Sequence, residues 1–304
     1  NRFNDEFVKV QGDVKPLITV PTEYDTHVMG GSIDELSQYT RDFSSTLSSD
    51  IMVMWTGPVV VSEGIDLENV NFVKSVYGDR MGIWWNYPVT DYMKEKLALG
   101  PIYNADKALD GEIDFFTMNP MEHAELSKIT LATGADYAWN TSEYDYQESW
   151  KKSIEMMYGD LAPYMITFAD HSSRMEASWA STGRGDAPEV RQTMDDLLRK
   201  IVKGQDVTTE IEILNKEFNS MIEAADVLKK KLPDNILSHC SENLDKLKLL
   251  GENDKLALDY LIAKRDKNTS EVERLEGLIN DNLSSLNSGK KLSEKTALSL
   301  SLIH

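Results

Sequence analysis

The sequence predicts two folds in succession: an α/β region built as half of a (β/α)8 barrel, and an all-α region built as an up-and-down helical bundle. Three observations favour this class. Four apolar runs end in polar residues, helical segments separate the runs, and after about residue 145 helical periodicity alone continues. Alternating strands and helices imply parallel strands joined by right-handed crossovers.

The four predicted strand segments are rich in β-branched and aromatic residues, and each closes on a polar residue beside Gly, Pro or Asp. They comprise residues 15–25, 50–58, 81–91 and 112–120. The closing residues Tyr24, Thr56, Asn86 and Asn119 lie 32, 30 and 33 positions apart. That spacing is the length of one strand–helix unit.

The intervals between the strands are predicted to be amphipathic helices that begin at a capping side chain. Ser32 is the predicted cap of the first helix and Asp66 of the second. Their apolar faces comprise Ile33, Leu36, Tyr39 and Phe43 in the first helix, and Leu67, Val70, Val73 and Val76 in the second.

Such units occur both in open doubly wound sheets and in barrels. Polar residues at the C-terminal end of every strand favour the barrel, because there all the strand ends converge on one site. A doubly wound sheet would concentrate its site at one switch point, and no Gly-rich phosphate-binding turn follows any of these strands.

Four strands make only half of a barrel. The chain begins at Asn1, without Met or a signal peptide, in what the pattern predicts to be the tail of a helix carrying Phe3, Phe7 and Val8. We therefore expect these residues to belong to a longer protein whose first half-barrel lies upstream. The lack of a signal peptide at this position carries no information about secretion.

Two helices, residues 146–157 and 161–168, are predicted to close the last strand–helix unit, after which strand periodicity is absent. Asp186, Pro188 and Glu189 then predict a new helix start, with a capping-box-like pair and proline in the first turn.

We accordingly predict two domains, residues 1–184 for the half-barrel and residues 185–304 for the bundle. Apolar residues at helical spacing support the bundle, and Pro233 and Gly251 are its predicted hairpin positions. One apolar stripe comprises Ile211, Leu214, Phe218, Met221, Ile222, Ala225 and Leu228.

Composition narrows the possible functions. A chain of 304 residues with 41% hydrophobic content can form two globular domains. The net charge of −19 argues against nucleic acid and anionic membranes as partners. No apolar run approaches the roughly 20 residues that span a bilayer, so no membrane insertion is predicted.

No metal site or cofactor is predicted. The five histidines are scattered without metal-ligand spacing, at positions His27, His123, His171, His239 and His304. His123 follows the fourth strand and either touches a ligand or orders its loop. Cys240 lies on a helical pattern and is predicted to be a buried apolar residue. The neighbours Asp195 and Asp196 diverge by about 100° on a helix, which indicates a solvated face.

The end of the third strand has the chemistry that a sugar requires. Residues 83–91 contain two indoles, an amide, a phenol and a carboxylate. Aromatic faces beside hydrogen-bonding groups suit a pyranose, because its ring has an apolar face and a rim of hydroxyls. The alternative interpretation is a barrel strand whose tryptophans only fill the core.

Four stretches match motifs of a known family: residues 21–26, 55–58, 84–91 and 119–128. They resemble glycoside hydrolase family 84, and most of all its secreted clostridial members. This family comprises β-N-acetylglucosaminidases, including bacterial hyaluronidase-type enzymes and O-GlcNAcases. The resemblance implies that strands five to eight of a catalytic barrel are present here, followed by the family's helical domain. It further implies a secreted bacterial hydrolase acting on a GlcNAc-containing glycan or glycoprotein.

The resemblance implies a retaining reaction in which the substrate's own 2-acetamido group is the nucleophile. The family's adjacent aspartate pair, which supplies the acid/base, ends the fourth strand and is not in this chain, so the fragment alone is predicted to be inactive. Tyr24 and Asn86 resemble residues that support catalysis near the reaction centre.

The remaining positions that match the family's motifs are implied to bind substrate. Thr56 lines the site, Trp84 forms the wall of the acetamido pocket, and Asp91 and Asn119 bind the outer sugar hydroxyls. A carboxylate suits that task because it accepts charge-assisted hydrogen bonds. Two alternatives stay open: a non-catalytic carbohydrate-binding or scaffolding relative, and a bundle that acts as a protein-interaction module.

Overall fold

The computed structural model describes residues 1–12, 17–292 and 298. Lys15 and Pro16, at the start of the first predicted strand segment, lie outside the described residues, and so does His304. A short helical region opens the chain, with a π-helical turn at Asn4–Val8 followed by α1 at Lys9–Gln11. This agrees with the helix tail predicted there.

The α/β region contains one four-stranded parallel sheet in the order β1-β2-β3-β4. Its strands are β1 (Ile18–Thr19), β2 (Met52–Trp55), β3 (Met81–Trp85) and β4 (Phe115–Met118). The helices of this region are α2 (Thr26–Met29), α3 (Gln38–Thr46), α4 (Leu67–Tyr77), α5 (Ala124–Trp139), α6 (Tyr146–Tyr158) and α7 (Ala162–Asp170). The four predicted strands and their parallel order are confirmed.

The two faces of the sheet differ in burial. Val53, Trp55, Ile83 and Trp85 are buried and belong to the main core. Side chains at the alternate positions, such as Trp84, are only partly buried. Successive residues of a strand point to opposite faces, so one face packs on the helices and the other is only partly covered.

The first predicted helix start is wrong. Ser37, not Ser32, caps α3, and its side chain accepts a hydrogen bond from Thr40 N at 3.0 Å. The carboxylate of Glu23 accepts hydrogen bonds from the hydroxyls of Ser37 and Thr40, which holds the helix start at this point. The cap of α4 is confirmed: the Asp66 side chain accepts from Asn69 N at 2.8 Å, within a capping box.

A short antiparallel hairpin follows α7, although no strand was predicted after residue 145. It consists of β5 (Met175–Glu176) and β6 (Ser181–Thr182). Asp186, the predicted cap of the next helix, instead accepts hydrogen bonds from the backbone N–H groups of Ser173 and Arg174. The predicted capping box is therefore wrong, because this carboxylate binds the segment between α7 and β5 and does not cap α8.

The bundle comprises α8 (Pro188–Val202), α9 (Thr208–Lys231), α10 (Asp234–Arg265) and α11 (Thr269–Leu286). Pro233 lies between α9 and α10 as predicted, but Gly251 lies inside α10 rather than at a turn. A Cβ at Gly251 would lie 2.9 Å from Phe218 O, so this glycine permits close packing of α10 on α9. Cys240 is buried, as predicted.

The two regions pack against each other through α7 and α9, and α10 also contacts α5. The domain boundary between residues 184 and 185 stays a prediction. Across the described part of the chain, no helix is both long and apolar enough to cross a bilayer.

Candidate functional site

A cavity of about 460 Å³ opens at the C-terminal ends of the parallel strands. All six residues predicted from the sequence line it: Tyr24, Thr56, Trp84, Asn86, Asp91 and Asn119. The lining is completed by five further residues that the sequence does not predict as site residues: Val60, Val61, Val89, Tyr92 and Trp179. Parallel strands bring these positions together because their C-terminal ends meet at one edge of the sheet.

The turns after β1 and β2 are joined by backbone hydrogen bonds. Thr56 donates from its backbone N to Tyr24 O at 2.9 Å, and its hydroxyl lies 3.3 Å from the same carbonyl. Thr26 N donates to Gly57 O at 3.1 Å. Gly57 has φ of +112°, a conformation that favours glycine. Tyr24 and Thr56 are thereby held side by side at the cavity wall.

Asn86 has its amide group oriented from two sides. Its Nδ2 donates to Val60 O at 2.6 Å, and its Oδ1 accepts from Asn119 Nδ2 at 3.1 Å. Asn119 is placed in turn by its backbone N, which donates to Trp85 O at 3.0 Å. The two amides therefore form one chain of hydrogen bonds along the cavity edge.

Ser62 fixes the loop that carries Val60. Its hydroxyl donates to Val59 O at 2.7 Å, lies 3.3 Å from Thr56 O, and accepts from Val59 N at 3.2 Å. A serine within an apolar run gave no functional signal in the sequence. Its role is visible only in the folded loop, in which Val60 O accepts the hydrogen bond from Asn86 Nδ2.

The tandem tryptophans of β3 have separate environments. Trp84 lines the cavity, whereas Trp85 is 3% exposed and contacts Phe116 with ring centroids 6.0 Å apart. This division follows from the alternation of side chains along a strand. The interpretation of both indoles as core residues is therefore right for Trp85 alone.

Asp91 lies on the loop after β3, beside an aromatic pair. Tyr92 and Trp179 have ring centroids 5.2 Å apart, and Trp179, at the tip of the β5–β6 hairpin, is 58% exposed. Burial, reinforced by the negative charge of Asp91, raises the pKa of Tyr92 to about 12. Tyr92 is therefore a neutral phenol at physiological pH.

His123 does not line the cavity. Its ring packs against that of His239 on α10, with centroids 4.9 Å apart, so it contacts the bundle. Burial and the neighbouring His239 lower the pKa of His123. Among the described residues, no cluster of three or more His, Cys, Asp or Glu side chains is arranged to hold a metal ion.

The cavity can bind a neutral ligand that carries hydroxyl groups. Aromatic and valine side chains offer apolar surface, while two amides and a carboxylate offer hydrogen-bonding groups. Of the described residues that line it, Asp91 alone is a carboxylate. A single carboxylate can bind hydroxyls but cannot supply both an orienting group and an acid/base.

The parallel sheet and the cavity at its strand ends define the class of the fold, which is half of a (β/α)8 barrel. A sequence model of the beta-N-acetylglucosaminidase family matches residues 1–170, and one described as hyaluronidase post-catalytic domain-like matches residues 189–299. The chain belongs to the beta-N-acetylglucosaminidase family, glycoside hydrolase family 84. The resemblance noted in the sequence motifs is confirmed.

Solved structures of the family superpose along nearly the whole chain. CpGH84B has a TM-score of 0.93 and 38% identity, covering 100% of this chain and 54% of that one. CpGH84D has a TM-score of 0.85 at 23% identity, covering 98% of this chain and 52% of that one. A variant of the Thermobaculum terrenum O-GlcNAc hydrolase has a TM-score of 0.80 at 19% identity, covering 99% of this chain and 64% of that one. The predicted fold class is thereby confirmed.

Two curated relatives are the protein O-GlcNAcases of Rattus norvegicus and Mus musculus. They are 29% and 28% identical to this chain over 135 residues. The match covers 44% of this chain and 15% of each relative. The chain thus spans about half the length of CpGH84B and a smaller part of the mammalian proteins.

Proposed function

We propose that this chain supplies the sugar-binding half of a retaining β-N-acetylglucosaminidase that removes terminal β-linked GlcNAc from glycoconjugates. One observation carries the proposal: six side chains that match the family's motifs, from four successive strand ends, line a single cavity of about 460 Å³. Such convergence is the arrangement by which a (β/α)8 barrel builds a site.

The proposed roles are those that the resemblance to the family's motifs implies, and the side-chain chemistry is compatible with each. Trp84 forms an apolar wall for the acetamido methyl group, and Asp91 accepts hydrogen bonds from outer hydroxyls. Asn119 offers a second hydroxyl-binding group beside it. Tyr24 and Asn86 lie toward the reacting end of the sugar, where they support the leaving oxygen and the acetamido group.

In the proposed reaction, the carbonyl oxygen of the substrate's 2-acetamido group attacks the anomeric carbon while the glycosidic oxygen is protonated and leaves. Water then opens the oxazoline-like intermediate with retention. The acid/base aspartates belong to a further half-barrel, since the described sheet has four of the eight strands that a barrel needs.

The natural substrate class in this proposal is a GlcNAc-bearing glycan or glycoprotein outside the cell. O-GlcNAcase relatives and a hyaluronidase-type helical domain support a GlcNAc-containing substrate. Secretion and a bacterial source are part of the proposal and rest on the motif resemblance.

The test is steady-state kinetics of the full-length protein on aryl β-GlcNAc and, as a control substrate, aryl β-glucoside, which lacks the acetamido nucleophile. We expect turnover of the first substrate only. Asp91→Ala and Asn119→Ala should each lower kcat/KM by about 10-fold to 100-fold, the effect of losing a strong hydrogen bond to substrate. Asp79→Ala, an exposed carboxylate before β3, is the matched control and should leave kcat/KM unchanged.

Wild-type kinetics in both Asp91→Ala and Asn119→Ala would contradict the site assignment. If the full-length protein binds GlcNAc and turns over neither substrate, the catalytic proposal fails. That result would support the alternative of a non-catalytic carbohydrate-binding relative.

A further inference from the structure

The loop that carries Asp91 receives much of its support from the helical bundle. This segment, residues 90–96, is called the Asp91 loop. Within it Met93 N donates to Thr90 O at 3.0 Å, and Lys96 N donates to Met93 O at 2.9 Å. These two turns give the loop a compact shape, but they do not fix its position over the cavity.

The segment that follows α11 supplies part of that position. Lys291 N donates to Glu95 O at 2.9 Å, and Lys290 Nζ donates to Lys94 O at 2.9 Å. Residues 287–291 are called the α11 tail. Both of these hydrogen bonds are made to backbone carbonyls of the Asp91 loop, so they fix the path of the loop. Lys291 Nζ also lies 3.9 Å from the carboxylate of Glu95.

A buried lysine on α10 holds the last residues of α11 and the first part of the α11 tail. Lys246 is 8% exposed, and its ammonium group donates to Leu286 O at 3.0 Å, to Ser288 O at 2.7 Å and to Ser285 O. These carbonyls lie at the C-terminal end of a helix, where a positive charge is favourable. Three bonds from one group fix the direction in which the chain leaves α11.

The same face of α10 also reaches the loop directly. Asn243, three residues before Lys246, is 1% exposed, and its Nδ2 lies 3.5 Å from Glu95 O. Residues three apart are neighbours on a helix surface. One turn of α10 therefore contacts the Asp91 loop twice, once directly and once through the α11 tail.

We propose that the bundle acts as a brace for the sugar-binding loop, and that Lys246 is a positioning residue acting through the α11 tail on Asp91. This inference rests on the proposed function for its effect on substrate. In this proposal the bundle helps to position a substrate-binding residue, Asp91. It predicts that a change deep in the bundle weakens sugar binding.

Two variants test the brace in the full-length protein. Lys246→Met keeps the aliphatic stem and removes the three donors, whereas Lys290→Ala removes a partly exposed contact without disturbing the bundle interior. Lys248→Met is the matched control, because Lys248 lies on the same helix but pairs with Asp226 on α9.

Two readouts are measured: hydrogen–deuterium exchange of residues 90–99, and the kinetics of aryl β-GlcNAc hydrolysis. In Lys246→Met we expect faster exchange of this peptide and a KM raised about threefold to tenfold, with kcat within about twofold. Lys290→Ala should shift both readouts in the same direction, but by a smaller amount than Lys246→Met. Lys248→Met should match the wild type.

Unchanged exchange of residues 90–99 in both Lys246→Met and Lys290→Ala would overturn the brace, whatever the kinetics. Equal loosening in Lys248→Met would also overturn it, because the effect would then be a general one of the bundle. If exchange responds as expected but the wild type has no hydrolase activity, the brace stands and the proposed function fails.

Discussion

Asn86 is oriented by protein groups that are in place before any ligand binds. Its N–H group is held by Val60 O and its oxygen by Asn119 Nδ2. An amide fixed on both sides pairs with a ligand without first being ordered, so less conformational entropy is lost on binding. This pre-organisation depends on the loop that Ser62 closes.

Replacing Asn86 by Asp tests that orientation. The carboxylate would place an oxygen where Nδ2 now donates to Val60 O at 2.6 Å, and the repulsion would rotate the side chain. We expect kcat/KM on aryl β-GlcNAc to fall about tenfold or more, since a donor is lost and an acceptor is left unpaired. Steady-state kinetics of the full-length protein measures this fall in kcat/KM.

Asn69→Asp is the matched control, because Asn69 uses its side-chain oxygen as an acceptor in the α4 capping box and Asp keeps that oxygen. It should leave kcat/KM unchanged. Wild-type kinetics in Asn86→Asp would mean that the amide orientation has no bearing on the reaction.

His171 lies at the contact between the two regions, and we expect its interaction there to depend on pH. It is fully buried at the end of α7, and its Nε2 lies 2.9 Å from Glu217 on α9. Burial alone lowers the pKa of His171. The hydrogen bond to Glu217 and the charges of Glu217, Asp170 and Asp186 outweigh burial and raise the pKa above its ordinary value.

A raised pKa in the folded state stabilises the protein below the unfolded pKa of about 6.5, and the contribution is lost as pH rises through the folded pKa. We therefore expect Glu217→Gln to reduce the free energy of unfolding more at pH 6 than at pH 8.5. Urea denaturation at the two pH values measures the difference. A penalty that is equal at both values, or larger at high pH, would contradict this account of the pair.

At the scale of elements, Gly251 decides how closely α10 packs on α9. A Cβ there would lie 2.9 Å from Phe218 O and 3.2 Å from the Cβ of Met221. We expect Gly251→Ala to destabilise the protein by about 1–3 kcal/mol through overpacking. Urea unfolding of the full-length protein provides the measurement.

Gly277→Ala in α11 is the matched control, because nothing lies within 4 Å of an added Cβ. Because alanine has a higher helix propensity than glycine, this substitution should raise the free energy of unfolding by about 0.5–1 kcal/mol. If both alanines stabilise the protein, the close approach at Gly251 is not a constraint.

The elements that the sequence predicts well are those with a long, regular pattern. β3 and α4 are examples, since each combines periodic apolar residues with a clear end signal. The sequence predicts a hairpin turn at Gly251 because a glycine in a helix gives the same signal as one at a turn. Only the approach of α9 shows why glycine lies there.

Elements that depend on distant contacts were missed. The start of α3 is set by Glu23, a side chain outside the helix. The β5–β6 hairpin has strands of two residues each, too short for a period-two pattern to be recognised. Trp179 was therefore not identified as a cavity residue, nor was Ser62, whose hydrogen bonds require the folded loop.

At the scale of the whole molecule, the described sheet has two open edges and one partly covered face. Within the described residues, β1 pairs only with β2, and β4 pairs only with β3. Ile18 on β1 is 41% exposed. Native proteins cover or pair such edges, which agrees with a barrel completed by further strands. The bundle contacts the Asp91 loop through α10 and the α11 tail.

In the proposed site, one GlcNAc unit is held at these four strand ends, beside the Asp91 loop that the bundle is proposed to brace. A crystal structure of the full-length protein with a bound GlcNAc-derived inhibitor tests it most directly. We predict a sugar whose outer hydroxyls lie within hydrogen-bonding distance of Asp91 and Asn119, with its acetamido methyl against Trp84. A sugar bound elsewhere, or one that touches none of these three side chains, would contradict the account.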